Sequence, residues 1–222
     1  MNSSKIGLLT IGQSPREDVV PEIIPLFLSH IKIVEAGLLD ELNPGEIEHL
    51  KPKSGETPLV TRLRDGSQVQ LSEKKVNSLM PGVLDSMKTK LNVSAVGVLC
   101  TNDFQKKQFP FPVIFLFDYL KFLITRVLQI KNLGVVVPLE DQIKMVRKKW
   151  EKDKVIVEVK SPYAEGKNWE EIAQIFIQEK AEAIILDCIG YNIKDRQEIL
   201  SLLSVPVFLP RVLLATAINQ LF

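Results

Sequence analysis

Two cysteines, Cys100 and Cys188, are the only ones in this 222-residue chain, and each stands at the end of a short apolar run. The first directly follows Ala95–Leu99, and the second follows Ala183–Leu186 after one residue. Ligands of open parallel sheets bind beyond the carboxyl ends of strands, so both thiols point at a candidate site. A thiolate and a thiol on opposite sides of a carbon can remove a proton from one face and return one to the other. We therefore predict both as catalytic residues of a cofactor-independent racemisation.

Other roles for the two cysteines stay open at the level of sequence. An isolated free cysteine most often behaves as a small buried hydrophobe. A disulfide between Cys100 and Cys188 is a third interpretation, although so few cysteines are typical of a protein whose thiols are kept reduced inside a cell. Their matching positions in an internal repeat, described below, favour a shared function.

A polar turn, Gly12-Gln13-Ser14, follows the first apolar run, Ile6–Ile11. Ser14 is placed to cap a helix, with Pro15 at its first position and Glu17 completing a capping box. Backbone amides and a hydroxyl at a helix start form a natural anion site. Ordinary capping explains Ser14 equally well. The turn is thus a candidate substrate-binding element.

Further candidate substrate-binding residues are polar or glycine positions close to these elements. They are Arg16, Thr101, Asn102, Gly190, Tyr191 and Arg211. An arginine fork suits a carboxylate, and a tyrosine phenol can hydrogen-bond a ligand. The competing interpretation is that both arginines are solvated at the surface and that Tyr191 simply packs over the strand ends.

Apolar runs alternate with segments of helical period along the whole chain, which predicts βαβ units and a parallel sheet. The predicted strands after the first are Ile31–Glu35, Ala95–Leu99, Pro112–Leu116, Leu133–Val137, Val155–Val159, Ala183–Leu186 and Pro206–Leu209. The segment Pro58–Leu71 breaks this alternation, because two alternating runs flank the turn signal Asp65-Gly66. We predict an antiparallel hairpin there, inserted outside the main sheet.

The chain also repeats itself, which indicates its architecture. Three pairs of segments match, and they align Gly7 with Gly134, Cys100 with Cys188 and Pro112 with Pro206. We predict an α/β protein of two similar flavodoxin-like halves, 1–110 and 111–222, related by a pseudo-two-fold axis. The hairpin near 58–71 is an insertion in the first half, and the last helix can pack back on that half. In this arrangement the two cysteines line opposite walls of one cleft.

Composition limits the classes of function. Lys and Arg total 28 against 27 Asp and Glu, so a net charge of +1 offers no general attraction to nucleic acid or anionic lipid. No apolar stretch is long enough for a membrane span, and we expect a cytoplasmic protein. There is no Gly-x-Gly-x-x-Gly or Walker pattern and no zinc spacing around His30 and His49, so neither cofactor nor metal is predicted. The basic cluster Lys144, Arg147, Lys148 and Lys149 is expected to be a solvated helix face.

Three segments resemble the AroM family, and the likeness runs from end to end. They are Leu9–Arg16, Ala36–Asp40 and Leu186–Tyr191. AroM proteins are similar in turn to the aspartate/glutamate racemase superfamily. The resemblance implies two α/β halves that enclose an acidic substrate between two cysteines.

The sequence departs from the racemase pattern after both cysteines. The first racemase cysteine is typically followed by Asn-Thr, whereas Cys100 precedes Thr101-Asn102. The second is typically followed by Thr-His, whereas Cys188 precedes Ile189 and follows Asp187, a carboxylate that would raise a nearby thiol pKa. Two functions are therefore carried forward. One is a racemase or isomerase of a small amino or hydroxy acid, and the other is a non-catalytic sensor of a small anionic metabolite. A homodimer through the hairpin edge is also open.

Overall fold

The computed structural model describes residues 4–104, 108–150, 154–164 and 166–222. The chain divides into two compact units. The first comprises Met1–Leu116 with Leu214–Phe222, and the second comprises Phe117–Leu213.

The first unit is built on a four-stranded parallel sheet, and its two central strands are buried along most of their length. The four strands are β1 (Ser4–Thr10), β2 (Ile31–Gly37), β5 (Ala95–Leu99) and β6 (Val113–Ile114), in the order β2-β1-β5-β6. Helices of this unit are α1 (Val20–Ile23), α2 (Pro44–Glu48) and α3 (Glu73–Leu91). Such a sheet is covered on both faces, which explains why β5 reads as an unbroken apolar run.

The final helix is α8 (Pro210–Asn219), and its residues from Leu214 onward belong to the first unit. It lies against β5 at Gly97, where an added Cβ would come within 2.8 Å of Ile218 and 2.9 Å of Leu214. The absence of a side chain at Gly97 therefore lets this helix approach the strand closely.

The second unit has a parallel sheet of the same connectivity. Its strands are β7 (Asn132–Val137), β8 (Lys154–Val159), β9 (Ala183–Leu186) and β10 (Val207–Phe208), in the order β10-β9-β7-β8. Its helices are α4 (Leu116–Phe122, continued by a π-helical turn over Leu123–Val127), α5 (Ile143–Trp150), α6 (Trp169–Gln178) and α7 (Ile193–Leu202).

Matching hydrogen bonds link the repeated segments in the two sheets. The amide of Val96 donates to the Pro112 carbonyl at 3.0 Å, and that of Ile184 donates to the Pro206 carbonyl at 2.9 Å. Strand order and these bonds confirm the predicted α/β fold with a repeated parallel sheet. The predicted helix start at Ser14-Pro15 is wrong, because α1 begins only at Val20.

The predicted hairpin insertion is confirmed. Strands β3 (Pro58–Arg62) and β4 (Gln68–Ser72) pair antiparallel in a separate two-stranded sheet. Gly66 has φ +84° at the turn, a conformation that favours glycine. The Asp65 carboxylate accepts hydrogen bonds from the Ser67 amide at 2.8 Å and from its hydroxyl at 2.6 Å, which fixes the turn.

Across the ranges that the structure describes, no helix is long and apolar enough to cross a membrane.

Candidate functional site

Cys100 lies at the carboxyl end of β5, beside the end of β1. Thr10, the last residue of β1, is in register with Leu99, so the turn that starts at Ile11 leaves the sheet next to Cys100. The Cys100 amide donates to the Val98 carbonyl at 2.9 Å. Cys100 is a free cysteine and is half-buried. The sheet register therefore brings this cysteine and the polar turn to neighbouring strand ends.

Thr101 and Asn102 continue from Cys100 and are both buried. The Asn102 side-chain amide donates to a carboxylate oxygen of Glu73 at 3.0 Å. Glu73 is the first residue of α3, and sequence reasoning gave it no role. The loop after the first cysteine is thus tied to the start of a long helix.

Cys188 occupies the equivalent position in the second unit. Its amide donates to the Leu186 carbonyl at 2.8 Å, the same local bond that Cys100 makes. The Cys188 Sγ accepts a hydrogen bond from the Gly190 amide at 3.4 Å. The backbone of the loop after Cys188 therefore directs a hydrogen-bond donor at the cysteine sulfur.

Asp187 forms a buried ion pair instead of standing as an isolated charge beside Cys188. Its Oδ2 lies 2.7 Å from the Lys149 Nζ, and the two side chains are only 2% and 6% exposed. The Lys149 ammonium also lies 4.9 Å from the centroid of the Phe117 ring. The prediction of a solvated face is wrong for Lys149, because its side chain is drawn inward by a carboxylate at the strand end. The negative charge that would disfavour a Cys188 thiolate is therefore balanced.

The loop after Cys188 is held by Arg211, which is 1% exposed. Its Nε and Nη2 donate to the Ile189 carbonyl at 3.1 Å and 2.8 Å, and Nη2 also donates to the Gly190 carbonyl at 2.9 Å. Arg211 thus fixes the backbone whose Gly190 amide meets the cysteine sulfur.

Tyr191 is fully buried, and its hydroxyl donates to the Lys160 carbonyl. Burial raises the pKa of this phenol well above its ordinary value of 10.0, and the nearby Cys188 and Asp187 raise the pKa further. The phenol is therefore neutral at physiological pH. At Gly190 an added Cβ would collide with the Tyr163 side chain, a neighbour that sequence reasoning missed.

The turn from Gly12 to Ser14 directs its amides at partners within the first unit. In chain order the amides donate to Thr10 Oγ1 at 3.2 Å, the Arg62 carbonyl at 3.2 Å and Asp40 Oδ1 at 2.7 Å. The Ser14 hydroxyl donates to Asp40 Oδ2 at 2.6 Å. The anion that this turn holds is therefore the carboxylate of Asp40, which explains why Ser14 does not cap a helix.

Asp40 joins the first two of the segments on which the family resemblance rests. Besides Ser14, it accepts hydrogen bonds from the Gly37 amide at 2.7 Å and from Arg64 Nη2 at 3.3 Å. A Cβ on Gly37 would lie 2.5 Å from the Gly12 carbonyl oxygen, so the two loops touch backbone to backbone. The carboxylate of Asp40 thus holds the loops after β1 and β2 together.

Arg16 is buried and makes a bidentate pair with Asp18, at 2.7 Å and 2.8 Å. Its third nitrogen, Nη1, donates to Thr10 Oγ1 at 3.0 Å. Burial opposes ionisation of Asp18, but the hydrogen bond and the charge of Arg16 outweigh it and lower the Asp18 pKa. The guanidinium therefore secures the segment after the turn.

Gln13 reaches a groove of about 920 Å³ between the hairpin and α2. Its Oε1 accepts from the Arg64 amide at 2.9 Å and its Nε2 donates to the Leu39 carbonyl at 3.3 Å. The predicted site residues divide between the two units: Gly12, Gln13, Ser14, Arg16, Cys100, Thr101 and Asn102 lie in the first, and Cys188, Gly190, Tyr191 and Arg211 lie in the second.

Comparisons with known proteins agree with this description. The profile of the AroM protein family matches residues 6–222, and no curated protein sequence matches the chain. Three similar solved structures are enzymes of one fold. Glutamate racemase from Francisella tularensis subsp. tularensis SCHU S4, solved with D-glutamate, has 15% identity and a TM-score of 0.57 over 100% of this chain and 81% of its own. Allantoin racemase from Klebsiella pneumoniae has 13% identity and a TM-score of 0.62, over 99% and 87%. The maleate isomerase Iso from Pseudomonas putida S16 has 14% identity and a TM-score of 0.60, over 98% and 92%.

Proposed function

The chain belongs to the AroM family, and on this premise we propose that it is a cofactor-independent racemase or isomerase of a small carboxylate, with Cys100 and Cys188 as acid and base. Similar solved structures include two racemases and an isomerase, which motivates the class of reaction. Their identities of 15% or less carry the fold and not the substrate.

One observation carries the proposal: the two thiols occupy equivalent positions in the repeated sheets. Each follows the strand paired with the first strand of its unit, β5 beside β1 and β9 beside β7. The backbone amide of each cysteine donates a hydrogen bond to the carbonyl of the residue two positions earlier, at 2.9 Å for Cys100 and 2.8 Å for Cys188. Duplicated cysteines at ligand-binding strand ends suit a reaction that needs two similar groups.

In the proposed reaction one cysteine acts as thiolate and removes the proton from the substrate α-carbon. The electrons of the broken C–H bond pass into the adjacent carboxylate as an enolate. The other cysteine, a thiol, donates its proton to the opposite face of that carbon. The exchange of roles between the two sulfurs lets the reaction run in both directions without a cofactor.

Local groups support the ionised state of Cys188 in this scheme. The Gly190 amide stabilises a negative sulfur, and Lys149 balances the adjacent Asp187. The residues proposed to contact substrate directly are those that follow the cysteines, Thr101, Asn102 and Gly190. The other candidates act in this proposal by positioning the loops, through the hydrogen bonds that they make within their own units; they are Gly12, Gln13, Ser14, Arg16, Tyr191 and Arg211.

A panel of enantiopure amino and hydroxy acids, followed by chiral chromatography, tests this function. We expect the wild type to invert at least one compound, and Cys100→Ser and Cys188→Ser each to abolish the inversion. Ser54→Ala, an exposed change in the first unit, is the matched control and should leave it unchanged. Ligand binding without any inversion would instead identify a small-carboxylate sensor.

A further inference from the structure

The strand β4 presents an open edge. Along β4 the backbone N–H and C=O groups of successive residues point alternately toward β3 and away from it. Those of Gln68, Gln70 and Ser72 point away from β3. The Ser72 amide donates to the Leu50 carbonyl at 2.8 Å. Within the described part of the chain, no backbone hydrogen bond from outside the hairpin reaches Gln68 or Gln70. Their amide and carbonyl groups are therefore open for pairing.

Other strand edges of the protein carry features that discourage pairing, as natural sheets usually do. The edge strand β2 has Lys32 and Glu35, and β8 has Lys154 and Glu158. Strands β6 and β10 are two residues long, and each is preceded by a proline. On the outer edge of β3 the Arg62 carbonyl is occupied by Gln13. Strand β4, Gln-Val-Gln-Leu-Ser, has neither charge nor proline.

The surface beside this edge is apolar with balanced charge. The groove next to β4 is lined by Leu42, Ile47, Leu63 and Val69, among others. Its charged residues are two cations, Lys51 and Arg64, and two anions, Glu48 and Asp65. A neutral rim does not select a strongly acidic or basic partner, but a two-fold axis can pair its opposite charges.

We propose that two copies of this chain associate by antiparallel pairing of their β4 strands about a two-fold axis through Val69. In this register Gln68 of one copy faces Gln70 of the other. Each such pair exchanges two N–H···O bonds, so the outward groups of both glutamines are satisfied. The pairing is self-complementary because the same edge serves both copies.

The test uses a proline that blocks the edge without disturbing the hairpin. The Gln70 amide points away from β3, so Gln70→Pro removes a donor that the folded chain does not use. Loss of one donor per copy weakens the dimer by about 100-fold in Kd, at about 1.4 kcal/mol for each bond. Gln70→Ala keeps the amide and is the matched control. Sedimentation equilibrium over a concentration series should show dimeric wild type and Gln70→Ala and monomeric Gln70→Pro, with unchanged circular dichroism.

Cross-linking tests the register independently. In a Cys100→Ser/Cys188→Ser background, Val69→Cys places two thiols on the axis, where Cα atoms of a facing pair lie about 4.5 Å apart and within disulfide reach. Oxidation should give a covalent dimer, whereas Lys32→Cys on the β2 edge should not. A monomeric wild type, a Gln70→Pro variant that stays dimeric, or a Val69→Cys variant that does not cross-link would each overturn the proposal. A monomeric result would leave the edge to a different partner.

Discussion

Lys149 and Asp187 form an ion pair of 2.7 Å in which both side chains are almost completely buried. The pair stands at the end of β9, next to Cys188 in sequence. Such pairs are costly to break, because the remaining charge is left uncompensated away from water.

The first prediction concerns the stability contributed by this pair. Lys149→Met should lower the free energy of unfolding by about 3–5 kcal/mol, since it strands the Asp187 carboxylate. The double variant Lys149→Met/Asp187→Leu should recover most of that loss. Lys148→Met, at an exposed neighbouring position, is the control and should stay within about 0.5 kcal/mol of wild type in urea unfolding. Equal losses in the single and double variants would contradict the pairing.

The second prediction concerns the carboxylate that joins the loops after β1 and β2. Asp40→Ala removes the acceptor of both Ser14 donors and of the Gly37 amide. The loss should be about 2–4 kcal/mol, because partly buried donors lose their charged acceptor. Asp85→Ala, at an exposed position of α3, should cost far less in the same denaturant titration. A small loss for Asp40→Ala would show that the loops do not depend on this residue.

The third prediction is a pH dependence that arises from Asp18. Its pKa is lowered from 3.8 in the folded protein, so the ionised carboxylate stabilises the fold above pH 3.8. That stabilisation is lost as the pH falls below 3.8 and through the folded pKa. Asp18→Asn should therefore be less stable than wild type near neutral pH, by about 2 kcal/mol, and the gap should close in acid. Denaturant midpoints measured across this range check the sign, and a gap that is independent of pH would contradict it.

The fourth prediction concerns thiol reactivity. A catalytic pair needs one thiolate, and the proposal assigns it to Cys188, so we expect Cys188 to react with iodoacetamide faster than free cysteine at neutral pH. Cys100→Ser should keep this fast phase and Cys188→Ser should lose it. Mass spectrometry of the alkylated protein assigns the site. Alkylation of both cysteines at or below the rate of free cysteine would argue for a binding protein.

Much of the fold could be predicted from the sequence because its signals are local. Apolar runs such as Ala95–Leu99 mark buried strands, and Asp65-Gly66 marks the hairpin, without knowledge of any distant partner. The internal repeat can likewise be found by comparing the chain with itself, and the matching hydrogen bonds from Val96 to Pro112 and from Ile184 to Pro206 agree with it.

What the sequence could not provide was the identity of distant partners. Ser14 has every local mark of a helix cap, but its hydroxyl is taken by Asp40, 26 residues away. Lys149 lies in a basic run typical of a solvated face, and only the position of Asp187 at a strand end explains its burial. Arg16 is likewise predicted to bind a substrate carboxylate because an arginine suits that role, but in the structure its guanidinium binds the carboxylate of Asp18.

The central claim is that two thiols move the α-proton, and the isotope content of the inverted product tests it most directly. For a substrate identified in the panel, turnover in D₂O followed by mass spectrometry and proton NMR shows the origin of the hydrogen on the inverted carbon. The thiol that reprotonates the carbon exchanges its proton with solvent, so it delivers deuterium in D₂O. Inverted product formed by the wild type should therefore carry one deuterium at that carbon, and Cys100→Ser and Cys188→Ser should form no inverted product. Inverted product that retains the substrate's own hydrogen, or inversion that survives in either serine variant, would contradict the two-thiol account.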